Sequence, residues 1–301
     1  MGVSPVTVTR HIQNLRGSSN PFLAEASDGH LYVVKPIAKH SSYRLFNEAM
    51  GTELYRAVGL NVPAWRPLLL TSKCVRALVG NKDVAPSELE PRLVFGSRFI
   101  GTSFGRLLEV LPGTSYSHIR NRTDLLRAWL IDICAQHEDN RQVIFKQDED
   151  RTLEAVFIDH GHLFGPRTTK MAHRCVSSRY LDRRIYGRFS DPDMAVQLSV
   201  ILNTDFEPLF QSSSLLPEEW RTGSSMRAFN DCLDSLHDVN ILRRVAEVIQ
   251  SDLGGDFYSE ADEYLGMHGA NAAVLYSPLP ETGRGGEPIE PVTSHCLGAL
   301  R

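Results

Sequence analysis

Short runs of alternating apolar and polar residues fill the first hundred positions, and apolar residues at helical spacing fill most of the remainder. Thr7 to Leu15 alternates loosely and predicts a strand. Phe22 to Glu25 and Leu31 to Val34 predict two strands around a tight Ser27-Asp28-Gly29 turn. From Tyr43 to Val58, Phe46, Met50, Leu54 and Val58 recur four apart, so this stretch predicts a helix, closed by Gly59 at its C′ position. Trp65 to Leu70 predicts another strand. Residues 80–92 are polar and carry Pro86 and Pro91, which predicts a loop. Arg92 to Gly101 predicts a strand broken at Gly96, a candidate hinge between two lobes.

The middle of the chain opens with Thr123 as a predicted N-cap and Asp124 in the first turn, where a negative charge suits the helix dipole. Leu125, Leu126, Trp129, Leu130, Ile133 and Cys134 then give a broad apolar face, the mark of a core helix, with Asp132 inside it as a buried hydrogen-bonding acid. Val143 to Phe145 and Leu153 to Ile158 predict a hairpin around an exposed turn at Lys146 to Arg151. Asp139 precedes the first of these strands and Asp159 follows the second, so both carboxylates belong to the same end of the hairpin. Tyr180 to Tyr186 predicts a short helix, and Met194 to Leu202, Met226 to Leu236 and Asn240 to Leu253 predict longer ones. From about Gly266 large apolar residues become scarce, which predicts a disordered or loosely attached tail. The expected class is α+β: a β-rich lobe over residues 1–100, a mainly α-helical lobe over 101–265 and a tail over 266–301.

Composition adds boundaries to this picture. The chain has 301 residues, 42% hydrophobic and 23% charged, enough for two lobes with a sizeable core. A net charge of -4 gives no electrostatic reason to expect nucleic acid or an anionic membrane as partner. Five cysteines are scattered without metal-binding spacing, and neither a signal peptide nor a membrane-spanning run is present, so a cytoplasmic location is expected.

The candidate chemistry is acidic, basic and small-residue in turn. Gly17, Ser18, Ser19 and Asn20 form a turn able to offer backbone N–H groups to a phosphate, although the same residues suit a plain hairpin turn. Lys35 ends the Leu31 to Val34 strand, facing that turn. Glu48 and Glu53 lie on the following helix, and either can pair with Lys35. Around the hairpin stand Asp139 and Asp159 with His137, His160 and His162. Two carboxylates at one place need a cation between them. His160 and His162 are expected to pack or hydrogen-bond. Arg141 is expected to bridge Asp159 or Asp132. The basic run of Arg167, Lys170, His173 and Arg174 faces either a substrate or solvent.

Taken in order, the Gly/Ser turn at 17–20, Val-Val-Lys-Pro ending in Lys35 and Pro36, Asn47-Glu48, the Gly59 to Pro63 segment, His137 to Gln142 and Ile158 to Gly165 resemble the HipA-like kinases, atypical kinases distantly similar to phosphatidylinositol kinases. The resemblance covers roughly residues 5–170. It implies a two-lobed protein-kinase-like fold that uses ATP and Mg²⁺ to phosphorylate a hydroxyl acceptor, on a protein or a small molecule. The nucleotide set would be Gly17, Ser18, Ser19, Asn20, Lys35, Glu48 and Phe95, with Lys35 on the α/β-phosphates and Glu48 orienting it. Asp159 and Gln142 would hold metal. Asp139 would accept the hydroxyl proton, with His137 and Arg141 beside it. The loop departs from the commoner kinase pattern, in which an Asn follows the base Asp by five residues: here that position is Ile144. Counting back five from Gln142 puts His137 in the base slot, so the base is Asp139 or His137. Two other readings remain: a nucleotide-binding pseudokinase that regulates a partner, and a metal-dependent phosphohydrolase built on the His/Asp cluster.

Overall fold

The computed structural model describes residues 5–16, 20–36, 42–79, 90–101, 106–165, 171–187 and 189–254, with the backbone of Val274–Tyr276. Gly17, Ser18 and Ser19 of the expected phosphate turn lie outside the described residues, as do most of the 80–92 loop, Arg167 and Lys170, and most of the expected tail.

The first half folds as a closed five-stranded barrel. Its strands are β1 (Val6–Asn14), β2 (Phe22–Ala26), β3 (Leu31–Lys35), β4 (Trp65–Leu70) and β5 (Arg92–Arg98), ordered β1-β2-β3-β5-β4. Helix α1 (Tyr43–Ala57) leaves β3 and returns the chain to β4, and α2 (Ser72–Val79) follows β4. Gly59 ends α1 at φ +75, with its N–H on Arg56 O and the Leu60 N–H on Tyr55 O. These two bonds satisfy carbonyls that the helix end leaves free.

Gly96 is not a strand break. It pairs with both Val34 and Arg66 in the middle of β5. A Cβ there would fall 2.2 Å from Leu68 Cδ1, so the glycine makes room for a barrel side chain rather than a bend.

A second sheet carries the predicted hairpin, ordered β8-β7-β6-β9: β6 (Arg106–Leu108), β7 (Gln142–Gln147), β8 (Leu153–Ile158) and β9 (Val274–Tyr276). Thus the expected tail region contributes one strand, antiparallel to β6. Helix α3 (Asp124–Cys134) is the predicted core helix, but Thr123 makes no side-chain cap bond because it is already helical at φ −63. The remaining elements are α4 (Met171–Ser178), α5 (Asp191–Leu202), α6 (Glu207–Ser214), α7 (Gly223–His237) and α8 (Val239–Gly254), with 3-10 turns at Gly113–His118, Arg183–Tyr186 and Glu218–Trp220. Residues Ser190 and Thr222 cap α5 and α7 with reciprocal capping boxes.

Among the described residues two hydrophobic cores result. The smaller is the barrel interior, with Phe22, Val34, Leu68 and Val94 among its buried residues. The larger joins Phe46, Met50, Leu54 and Tyr55 of α1 to Trp129 and Leu130 of α3, Phe145 and Phe157 of the hairpin, and Phe229 of α7. Helix α1 therefore packs with the helical half, while Lys35, eight residues before it, belongs to the barrel. Aromatic edge contacts hold it there: Phe46 lies 5.9 Å from Phe229 and 6.5 Å from Phe164 between ring centroids.

Candidate active site

Lys35 crosses from the barrel to the other core. Its Nζ lies 2.5 Å from Glu48 Oε1 on α1 and 2.8 Å from Asp159 Oδ1 just after β8. The second Glu48 oxygen accepts the His160 N–H at 3.1 Å. Glu53, the other candidate partner, instead pairs with Arg56 and accepts Trp65 Nε1–H at 2.6 Å. One ammonium thus serves two carboxylates. Burial alone pulls the Lys35 pKa down, but Glu48 and Asp159 together hold it above the ordinary lysine value. Burial pushes the Glu48 carboxyl up, against the pull of Lys35. For Asp159 burial also pushes upward, but the Lys35 charge and hydrogen bond prevail and keep it ionised, at about 2.

The hairpin register sets where Asp159 stands. Gln142 pairs with Ile158, so Arg141 and Asp159 flank the last rung of the ladder. Asp159 then turns left-handed, at φ +59. A non-glycine residue rarely takes that conformation unless its surroundings impose it. Several bonds impose it here. Arg141, buried, sends its NH1 to Ile158 O at 3.0 Å and Asp159 O at 3.3 Å. Asn47 Nδ2 donates to Gly161 O at 3.2 Å and Leu163 O at 2.6 Å. Close approach completes the lock. A Cβ on Gly51 of α1 would lie 2.5 Å from His160 Cβ, and one on Gly161 would lie 2.8 Å from Glu48 Oε1.

Between the two halves opens a cavity of about 490 Å³, within the usual size of a small-molecule site. Val33, Pro63 and Phe95 line it from the barrel side, Leu107, Ile144 and Phe157 from below, and Lys35, Glu48 and Asp159 at its polar end. Phe95 is braced by Trp65, stacked at 5.5 Å between centroids. Arg16 and Glu109 lie at the cavity as well. A slot with apolar walls, ending in the Lys35 ammonium and two carboxylates, suits a ligand with an aromatic ring at one end and anionic groups bridged by a cation at the other.

The other residues singled out from the sequence fall into three places. Gln142 lines the cavity. Asp139 is half-buried in the turn before β7, where its Oδ1 accepts the Asn140 N–H at 2.8 Å, and Asn20 is exposed at φ +49. His137 and Arg141 lie beneath the cavity floor, 1% and 2% exposed. His137 is a poor candidate for contact with a solvent-borne substrate, since its Nδ1 is buried 4.0 Å from Asp132 and its backbone N–H is bonded to Asp132 O. His160 packs against Tyr55 at 4.6 Å and its Nδ1 faces Arg141, as a packing histidine should.

Burial, then Arg141, holds the pKa of both His137 and His160 well below the ordinary histidine value. Each is therefore neutral when folded, while the unfolded chain protonates them near pH 6.5. Stability from this source is complete above that pH and is lost as pH falls. Buried Glu48 titrates in the opposite sense, so the informative quantity is a difference. Removing one buried histidine as His137→Asn is expected to flatten the pH dependence of unfolding free energy between pH 6.5 and 5 by about 1.4 kcal/mol per pH unit. Urea unfolding of both proteins across that range tests it, and parallel curves would refute it.

Asp159 and Gln142 offer carboxylate and amide oxygens, the donor chemistry of Mg²⁺ and Mn²⁺. Among the described residues no group of three or more His, Cys, Asp and Glu side chains is placed to hold a metal ion, so a cation at Asp159 would need oxygens from its ligand. Also among the described residues, no helix is long and apolar enough to cross a membrane.

Sequence reasoning did not reach Tyr55, whose hydroxyl donates to Asp132 Oδ1 at 2.6 Å, or the apolar wall of Val33, Ile144 and Phe157. A signal for Tyr55 was present: it follows Glu48 by seven residues, two helical turns, and so shares its face.

Comparison with solved structures finds the same architecture in kinases. The Golgi casein kinase with Mn/ADP bound matches at a TM-score of 0.52 and 12% identity, over 84% of this chain and 74% of that one. The Helicobacter pylori proinflammatory kinase CtkA matches at 0.50 and 13%, over 84% of this chain and 99% of that one. At such identities the likeness is one of fold, which is protein-kinase-like. Comparison with curated proteins finds no match. A sequence model of the HipA-like kinases does match, over residues 6–248, and with most of the chain so covered, this protein belongs to the HipA-like kinase family.

Proposed function

We propose that this chain binds ATP in the cleft between the barrel and the helical half and transfers the γ-phosphate to a hydroxyl acceptor. The observation that carries the reading is the Lys35–Glu48–Asp159 cluster at the polar end of an apolar slot. The adenine would lie between Val33 and Phe95 above and Ile144 and Phe157 below. The Gly17 to Asn20 turn and Lys35 would meet the phosphates, with Glu48 keeping the ammonium extended. Asp159 and Gln142 would hold Mg²⁺, or the Mn²⁺ named with ADP for the Golgi casein kinase, and the cation would offset phosphate charge. Asp139 would orient the acceptor hydroxyl and take its proton. We favour it over His137 because His137 is buried and Asp139 is partly open to solvent. The acceptor is a protein Ser/Thr or a small molecule. The barrel half, residues 1–100, would carry the phosphate-binding groups, and residues 101–265 the base and the metal ligands.

Stabilisation by ATP with and without Mg²⁺, followed by γ-phosphate transfer assays on wild type, Lys35→Ala and Asp139→Asn, tests the reading. Wild type should gain thermal stability with ATP and transfer phosphate. Lys35→Ala should lose most of the stabilisation. Asp139→Asn should bind ATP but transfer at least about 100-fold more slowly. Binding without transfer by wild type would mark a pseudokinase. No response to ATP, with phosphatase activity, would overturn the kinase reading.

A further inference from the structure

A guanidinium deep under the cleft is heavily bonded, yet it does not line the cavity. Arg141 is 2% exposed, and Asp132 beneath it is fully buried. Arg141 Nε lies 2.8 Å from Asp132 Oδ2 and its NH2 2.5 Å from Oδ1, a two-point fork. Tyr55 bonds the same carboxylate, and its ring also lies under the guanidinium carbon at 4.9 Å. All of this turns the third nitrogen, NH1, towards the strand end, where it meets Ile158 O, Asp159 O and His160 Nδ1.

We propose that Arg141 is a positioning residue: anchored on Asp132, it grips the carbonyls of the two peptides on either side of the Asp159 Cα and so holds Asp159 in the left-handed turn that aims its carboxylate at Lys35 and the cleft. Three features carry this. The two carbonyls belong to consecutive residues, so one planar donor fixes the relative orientation of the two peptides that meet at Asp159. The residue so fixed has φ +59, a conformation an aspartate seldom keeps unaided. The anchor comes from α3 and α1, both in the large core, so the grip is referred to the most rigid part of the molecule. A lysine cannot do the same, since a single ammonium cannot face a carboxylate fork and two carbonyls together. The burial of Arg141 distinguishes this role from direct contact with phosphate.

The inference rests on the reading of Asp159 as the residue that meets metal and phosphate. Its test uses the binding of ADP with and without Mn²⁺, read by thermal stabilisation, beside the kinetics of transfer. Two variants are needed. Asp132→Leu combined with Arg141→Met removes both buried charges at once, a replacement that buried ion pairs often tolerate. Arg141→Lys keeps the positive charge on Asp132 but gives up the carbonyl grip. In each folded variant ADP alone should bind as in wild type. The Mn²⁺ concentration giving half of the extra stabilisation should rise about 10- to 100-fold, the usual scale for loss of an outer support to a metal ligand. The kcat should fall with the KM for ATP little changed, and Arg141→Lys should not rescue. A folded variant with the wild-type Mn²⁺ midpoint would overturn the proposal and leave Arg141 a purely structural ion pair. If wild type itself shows no Mn²⁺-dependent stabilisation of the ADP complex, it is the reading of Asp159 that fails.

Discussion

Asp159→Asn is expected to lower γ-phosphate transfer by at least about 10²–10³-fold, the scale of losing one aimed electrostatic group in a site closed to water. Asparagine keeps the shape, so the left-handed turn, which Arg141 and Asn47 hold through backbone oxygens, should survive. What changes is charge. Lys35 now faces two carboxylates and would be left with Glu48 alone, and the proposed Asp159–Gln142 pair would lose its carboxylate. The signature is therefore specific: near-native melting without ligand, ADP binding that no longer responds to Mn²⁺, and transfer at background, whether scored on the protein itself, on added acceptor or as release to water. Lys35→Ala should differ by weakening ADP binding even without metal. Wild-type transfer by Asp159→Asn would remove Asp159 from the mechanism and, with it, the parallel between this hairpin and a kinase metal site.

How much of this was legible in the sequence varies with the range of the interaction. The hairpin was readable because alternation is local: Val143 and Phe145 point into the core while Ile144 points to the cleft. Lys35 at a strand end was readable for the same reason. Its partner was not, because Glu48 and Glu53 stand five residues apart, roughly 140° around the helix at 3.6 residues per turn, and only the docking of α1 decides which faces the barrel. Gly96 misled because a glycine in a strand can mean either a bend or a close neighbour, and the neighbour, Leu68, lies 28 positions away in a different strand. The short helices α2, α4 and α6, eight residues each, went unread since two turns give periodicity too little to repeat. The Arg141 grip lies at the same limit. Sequence offered Asp132 or Asp159 as its partner, and the fold uses both, the side chain of one and the carbonyl of the other.

That division of labour gives Asp132 the largest expected effect on stability. Asp132 is fully buried in α3, and its carboxylate receives Arg141 at two nitrogens and Tyr55 at its hydroxyl. Burial pushes its pKa above the ordinary aspartate value, and Arg141 and Tyr55 oppose this. Three donors converging on two oxygens require the ionised form. Asp132→Ala would leave the Arg141 cation in the core without its counter-charge, which costs about 3–5 kcal/mol, a large share of the total stability of an ordinary domain. The same substitution made in Arg141→Met should cost much less, because no charge is then stranded. Chemical unfolding of the two singles and the double measures this directly. The expected pattern is strong non-additivity, the double being more stable than Asp132→Ala alone. Additive costs would mean that water reaches Arg141 in the variants and that the pair is not sealed in the core. Asp132 does not line the cleft, so a rise in the metal requirement of a folded Asp132 variant that is absent from the matching Tyr55→Phe variant would be transmitted through Arg141 and the two carbonyls it holds.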